Sequence, residues 1–450
     1  MNEIVSQLMC LSPLLSGTVI GQMSHIIFAL LAMSGRMTML GMSRWTEQGG
    51  SYRTIQRWFA TSIPWTQVFW YFFRHKIYKA EETYVLFGDE VVVPKSGKTS
   101  YGVDRFYSGL FEKVIPSVSF FTLAMGSIGE KRSYPVQVEQ IIRTAAEKET
   151  RQAKTKPTAE TVLPPAQKKA GRPVGSKNKE KQEVVLTPEM LRVQCMLQRQ
   201  MTQMAGMMTV QHVVMDGHWG NNPSMQMVLQ CNLQLVSKLR SDSELYFRKQ
   251  DHYTGTRKPR KYGDKFEPAL LPDKFLKEET QDEAYTTRMY QATLLHKHFS
   301  QPLNVVIIVR TERKTGRSAH VLLFSSDLTL AYDKIILFYT LRFQLEFNFR
   351  DAKQFWGLDD FMNTSQTALT NAVNLSLFMP NFIHLLLKPF RLTSPEFSVL
   401  DLKAYYRAYK YLTEIIKCFP QIPDSISFQS IFQQVASLGA IHPVSHSNTP

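Results

Sequence analysis

The chain has 450 residues, with 53 Lys and Arg against 38 Asp and Glu, and a formal net charge of +15. That excess favours a polyanionic partner, nucleic acid first and acidic membrane second, and a hydrophobic fraction of 44% is enough for real cores, in about two to four domains. The four cysteines (Cys10, Cys195, Cys231, Cys418) form no C-x-x-C pair, which argues against a disulfide framework or zinc site and fits a reducing cytosol.

Residues 1–78 read as helical, with no signal peptide. The apolar run at 26–33 is too short to span a bilayer. Gly49-Gly50-Ser51 is a glycine turn with a serine cap. It leads into Tyr52-Arg53-Thr54-Ile55-Gln56-Arg57-Trp58-Phe59, a short basic-aromatic helix ended by Pro64. The segment resembles the turn and second helix of a helix-turn-helix, which would put Arg53 and Arg57 on DNA; plain helical packing is the other reading.

From Tyr84 the period changes. Tyr84-Val85-Leu86-Phe87 is a compact apolar run ending in Gly88-Asp89-Glu90, and 91–93 is a second run. Gly97-Lys98-Thr99 matches the second half of a phosphate-binding P-loop. The glycine required five residues earlier is Val92, so a basic turn is the better reading. Further strands are expected at 111–118 and 120–125, followed by turns at Gly126 and Gly129.

Residues 151–183 break the composition, with nine Lys and Arg, three Glu, four Pro and no aromatic. This is a solvated basic insert. Its Gly171-Arg172-Pro173 is the core of an AT-hook, which would lay Arg172 in a minor groove; a nonspecific basic linker is the alternative. Thr187-Pro188-Glu189 opens a helix expected to reach about Met208. Gln211-His212-Val213-Val214-Met215-Asp216-Gly217 is a short buried strand that ends in an aspartate. Asn222-Pro223 starts the next helix, and 233–239 is another strand. His212 and His218 flank Asp216, but two histidines without a nearby cysteine do not make a structural zinc site. Trp219 reads as core, with stacking on DNA as the alternative. Residues 244–330 are β-rich, with strands at 305–310 and 321–324 and a basic loop around Arg257-Lys258-Pro259-Arg260.

A helix begins near Ala331. Phe338, Leu341, Leu345, Phe349, Ala352 and Trp356 make its buried stripe. At about 100° per residue, Tyr339, Arg342, Glu346 and Lys353 fall within about 60° of one another. One carboxylate is thus flanked by two cations and a phenol, a set suited to phosphate and a divalent metal. An exposed face with i, i+4 ion pairs is the plainer reading. The apolar stretch at 371–390 carries Asn374, Asn381 and His384 and reads as a buried helix rather than a membrane span. A break is expected near Pro389. Residues 402–419 carry Lys403, Arg407, Lys410 and Lys417 among tyrosines, a helix facing DNA or another subunit. The stretch from His442 is polar and reads as disordered.

The spacing Tyr, two residues, Arg, three residues, Glu, six residues, Lys resembles the Y-R-E-K signature of one insertion-sequence family of DDE transposases. The resemblance implies an α/β fold, a ribonuclease H-like catalytic core interrupted by a β-rich insertion, with helical N-terminal and C-terminal regions. The implied division is a DNA-binding domain at 1–78, the core at 79–243 with its insert at 151–183, the β-rich insertion at 244–330, the catalytic helix at 331–362 and the C-terminal region at 363–450. Such folds place an acid at a strand end, so Asp89, Asp216 and Glu346 are the implied catalytic carboxylates and metal ligands. Glu90 stays open as an alternative to Asp89. Two Mg²⁺ ions, with Mn²⁺ as a substitute, would serve in-line displacement at phosphorus. Tyr339, Arg342 and Lys353 would grip phosphate. The family acts on double-stranded DNA, as a dimer on paired inverted-repeat ends that are then joined to a target. The expected location is the cytoplasm, on the nucleoid, with no membrane association. A DNA-binding protein that has lost catalysis and a structure-specific nuclease are the alternatives.

Overall fold

The computed structural model describes residues 2–46, 50–97, 99–145, 147–149, 184–249, 261–267, 271–419 and 428–442. The basic insert with Arg172, the basic loop at 257–260, Gly49, Lys98 and the tail from 443 lie outside the described residues. The chain divides into two units. One comprises Met1–Thr83, Glu90–Gln140 and Gln344–Pro450, and the other Tyr84–Asp89 and Ile141–Phe343.

The first unit opens with helices α1 (Asn2–Leu8), α2 (Gly17–Ala32), α3 (Met39–Ser43), α4 (Tyr52–Ala60) and α5 (Trp65–Phe72). The expected serine cap is present, with the Ser51 hydroxyl accepting from the Thr54 N–H at 3.4 Å. Strand β1 (Tyr84–Pro94) enters next, then β2 (Asp104–Ser108), β3 (Lys113–Ser127) and β4 (Arg132–Gln140). Both β2 and β4 pair antiparallel with β3. The two strands expected at 111–118 and 120–125 are one. Ser119 between them is fully buried and donates its hydroxyl to Glu90, so the apolar run is not interrupted.

The second unit holds α6 (Pro188–Met204), β5 (His212–Met215), α7 (Asn222–Leu229) and β6 (Gln234–Leu239). It continues with β7 (Leu245–Arg248), β8 (Tyr262–Lys265), β9 (Leu276–Gln281), β10 (Tyr285–His296), β11 (Leu303–Glu312), β12 (Ser318–Ser325) and α8 (Tyr332–Leu341). Helix α6 starts as expected, with Thr187 capping the Met190 N–H at 3.3 Å and proline at its first turn, but it ends at Met204 rather than near Met208. The sheet is mixed. The beginning of β1, β5 and β6 run parallel, and β12, β11 and β10 follow antiparallel, β12 pairing with β6 at Leu322↔Leu239. The strands from 285 to 325 therefore extend the sheet that begins with β1 and β5. At the β11–β12 turn Gly316 has φ +69°, a left-handed conformation that favours glycine.

The chain returns to the first unit with α9 (Phe343–Phe355), α10 (Gln366–Thr393), α11 (Val399–Lys417) and α12 (Phe428–Ser437). Helix α10 is a core helix, and no described helix is long and apolar enough to cross a membrane. Its asparagines are buried with partners. Asn371 accepts from the Trp65 indole at 2.8 Å and donates to the Phe59 carbonyl at 2.8 Å, while Asn381 donates to the Pro135 carbonyl at 2.7 Å. Phe378 packs edge-on against Phe72 with ring centres 4.7 Å apart. The break expected near Pro389 is absent, because the helix runs through both Pro380 and Pro389.

The basic face expected on α11 is also corrected. Lys403 and Lys410 are buried, and Arg407 donates to the Ala32 carbonyl at 3.2 Å. Lys410 pairs with Glu414 at 2.7 Å. A capping box starts this helix, Ser398 and Asp401 bonding each other's backbone N–H groups.

Candidate active site

Strand register brings the two aspartates together. β1 and β5 pair in parallel as Leu86↔Val213, Phe87↔Val214 and Gly88↔Met215, so the next step aligns Asp89 with Asp216. Residues in register on neighbouring strands project from the same face. Asp216 ends its strand as expected. Asp89 does not, since β1 continues to Pro94. What ends at Gly88 is the pairing with β5, because the chain after Met215 turns into a short 3₁₀ segment, Gly217–Trp219. One Asp216 carboxylate oxygen caps that segment by accepting from the His218 N–H at 3.2 Å. The buried Ser237 hydroxyl donates to the Asp216 carbonyl at 2.7 Å, and Trp219 is buried, as its reading as core anticipated.

The face that carries the aspartates is covered by α8. His212, on that face by strand alternation, packs against the Phe338 ring with centres 5.6 Å apart. The other edge of His212 pairs with Asp327 at 3.0 Å. Asp327 also accepts from the Thr329 N–H at 2.8 Å, and Asn304 donates to the Leu330 carbonyl at 2.8 Å, so the start of α8 is tied to the sheet. Burial opposes ionisation of Asp327, yet the Thr329 and His212 contacts hold its carboxyl below the usual range.

Helical periodicity then delivers Tyr339 and Arg342 to the aspartates. Arg342, buried, donates to an Asp89 carboxylate oxygen at 2.5 Å. Its guanidinium lies 5.6 Å from the Tyr339 ring centre. Burial raises the pKa of the Tyr339 phenol, Arg342 opposes the rise, and the charges of Asp216 and Asp89 add to it. At neutral pH Tyr339 is therefore an O–H donor. An open cleft of about 790 Å³ is lined by Asp216, His218, Lys238, Arg240, Tyr339 and Arg342, among others. Lys238 and His218 were not singled out as functional from sequence; their place depends on register and on the turn after β5.

The remaining candidates belong to the first unit. Glu346 sits in the first turn of α9, one turn after Arg342, which itself keeps helical dihedrals. Lys353 donates to the Val92 carbonyl at 3.1 Å and lies 4.0 Å from Asp359. Glu90 follows Asp89 and projects to the opposite face of the strand, where it accepts from Ser119. Arg53 and Arg57 are exposed on α4, whose Ile55, Trp58 and Phe59 are buried.

Among the described residues no three His, Cys, Asp or Glu side chains form a group arranged to hold a metal. The pair Asp89 and Asp216 nevertheless fits a hard cation in chemistry, since both offer carboxylate oxygens on one face. The Arg342 guanidinium, set against Asp89, supplies positive charge at that place.

A family model described as DDE superfamily endonuclease matches residues 11–295. The match includes Asp89 and Asp216 and stops before Tyr339, Arg342, Glu346 and Lys353. No curated protein matches the chain.

Proposed function

Because the chain belongs to the DDE superfamily endonucleases, we propose that it is a transposase, which binds the inverted-repeat ends of its insertion sequence, cleaves them and joins them to target DNA. The observation that carries the reading is the side-by-side register of Asp89 and Asp216 beneath Arg342 and Tyr339. Asp89 and Asp216 would hold divalent metal, with Glu346 as the third carboxylate on the strength of its place in the Tyr339–Arg342–Glu346–Lys353 spacing. Mg²⁺, or Mn²⁺ in its place, would supply Lewis acidity for displacement at phosphorus. Arg342 and the Tyr339 hydroxyl are donors suited to nonbridging phosphate oxygens. The ribonuclease H-like reading draws support from the parallel β1, β5 and β6, with α6 leading into β5 and α7 between β5 and β6. Double-stranded DNA is the substrate, a homodimer on paired ends the working assembly, and the nucleoid the place of action.

The test is nicking of supercoiled plasmid with Mg²⁺ or Mn²⁺, beside binding of a labelled duplex. Asp89→Asn, Asp216→Asn and Glu346→Gln should bind DNA and lose nicking by about 10³-fold or more, since metal stabilisation is worth several kcal/mol. Undiminished nicking by Asp216→Asn would overturn the site. Undiminished nicking by Glu346→Gln alone would remove only the third ligand.

A further inference from the structure

The register that aligns Asp89 with Asp216 continues one strand further. β5 and β6 pair in parallel as His212↔Gln234, Val213↔Leu235 and Val214↔Val236. Two steps on, Asp216 aligns with Lys238, on the same face as Val214 and Val236. Asp89, Asp216 and Lys238 thus form a row across three neighbouring strands, acid, acid, base.

Several features fix the second and third members of that row. The Ser237 hydroxyl holds the Asp216 carbonyl. The turn after Asp216 lies directly on the Lys238 backbone, because a Cβ at Gly220 would stand 2.2 Å from the Lys238 carbonyl oxygen. Only a residue without a side chain fits there. A Cβ at Gly217 would be in ordinary contact with the Lys238 side chain, at 3.8 Å. Lys238 itself is exposed and lines the cleft with Asp216, Tyr339 and Arg342. Arg240, two residues on and on the same face, differs: both its Nε and Nη2 are held by Asp242, at 3.1 and 3.2 Å.

We propose that Lys238 is a further active-site residue that contacts a phosphodiester of the bound DNA beside Asp216. The inference rests on the endonuclease reading of this site. An ammonium there neutralises a nonbridging oxygen on the side of Asp216 away from Asp89, while Arg342 and Tyr339 approach from α8. A compact, mobile ammonium suits a point contact with phosphate. Because the row is set by backbone register, position 238 places its side chain beside Asp216.

The experiment uses the full chain with two probes, supercoiled plasmid with Mg²⁺ or Mn²⁺ and a short labelled duplex titrated across salt concentrations. Lys238→Ala should lower the nicking rate at saturating DNA by about 100-fold, the range for removal of one well-placed donor. It should reduce the salt slope of duplex binding by about 0.9, the value of one lost phosphate contact. Lys238→Arg should recover most of both, and thermal unfolding should not change. Arg240→Ala should move the slope less. Should Lys238→Ala match the wild type in rate and slope while Asp216→Asn fails to nick, the inference falls and the site reading stands. Should Asp216→Asn nick like the wild type, or the wild type not nick, the site reading fails. The duplex slope still decides whether Lys238 touches phosphate.

Discussion

Arg342 and Lys403 are both long cations turned away from water, 6% and 7% exposed, yet their surroundings differ in kind. Arg342 faces a full carboxylate, Asp89, in the second unit. Lys403, in the first unit, donates to the Leu30 carbonyl and lies 5.1 Å from the Trp356 ring centre. With Arg407 on the Ala32 carbonyl, it caps the last turn of α2, where helix carbonyls lack partners. Partial charges compensate a buried ammonium less well than a carboxylate does. Burial, helped by the charge of Arg407, accordingly pulls the Lys403 pKa down to about 7. One cation is paired with a formal charge. The other is a structural cap, held at the edge of losing its proton.

The largest stability effect should come from breaking the formal pair. Arg342→Ala leaves Asp89 partly buried without the Arg342 guanidinium and should cost about 3 kcal/mol at neutral pH, the low end of the range for severed buried pairs, because Asp89 keeps some solvent contact. Asp89→Asn combined with Arg342→Ala should cost less than the sum of the two single changes. Urea unfolding of the four proteins measures this. Additive costs would show that the two side chains are not coupled.

Lys403 should show itself through pH. Its folded pKa of about 7 lies below the ordinary 10.5, so the unfolded chain binds the extra proton between those values. The wild type should gain stability over Lys403→Met as pH rises through that window, by up to about 1.4 kcal/mol per pH unit. Below about pH 7 both states are protonated and the difference should level off. Unfolding of both proteins at pH 7 and pH 9 reads the slope directly, and parallel curves would place Lys403 in contact with water.

This contrast also marks what the sequence could reveal. Asp216 was legible because an apolar run stops at it, and Asp89 because an apolar run precedes it. That β1 runs on past Asp89 was not legible, since Asp89-Glu90 looks like a strand end until Glu90 finds Ser119 on β3. β4 was missed: Arg132-Ser133-Tyr134-Pro135-Val136-Gln137 mixes polar residues and a proline into a strand buried over most of its length. The buried stripe from Phe338 to Trp356 was readable from its period, and every member of it is buried. Lys403, Arg407 and Lys410 were read as outward-facing because lysine on an amphipathic helix ordinarily is. What turns Lys403 inward is a carbonyl 373 residues away, which no local pattern contains. The place of Lys238 beside Asp216 likewise comes from pairing between strands.

The smallest change in stability is expected at cations that face water. Arg53 and Arg57 stand on the exposed side of α4 with Tyr52 and Gln56, while Ile55, Trp58 and Phe59 fill its buried side. Both guanidinium groups lie away from the packed side of the helix. Arg53→Ala with Arg57→Ala should therefore shift unfolding free energy by no more than about 0.5 kcal/mol. If α4 meets the DNA backbone, as its sequence suggests, each lost phosphate contact should lower the salt slope of duplex binding by about 0.9. Unlike removal of Arg342, the change should leave plasmid nicking at saturating protein intact, because neither residue belongs to the proposed catalytic set. A normal salt slope in the double variant would return α4 to plain helical packing, and the positive charge that engages DNA would then have to lie elsewhere on the chain.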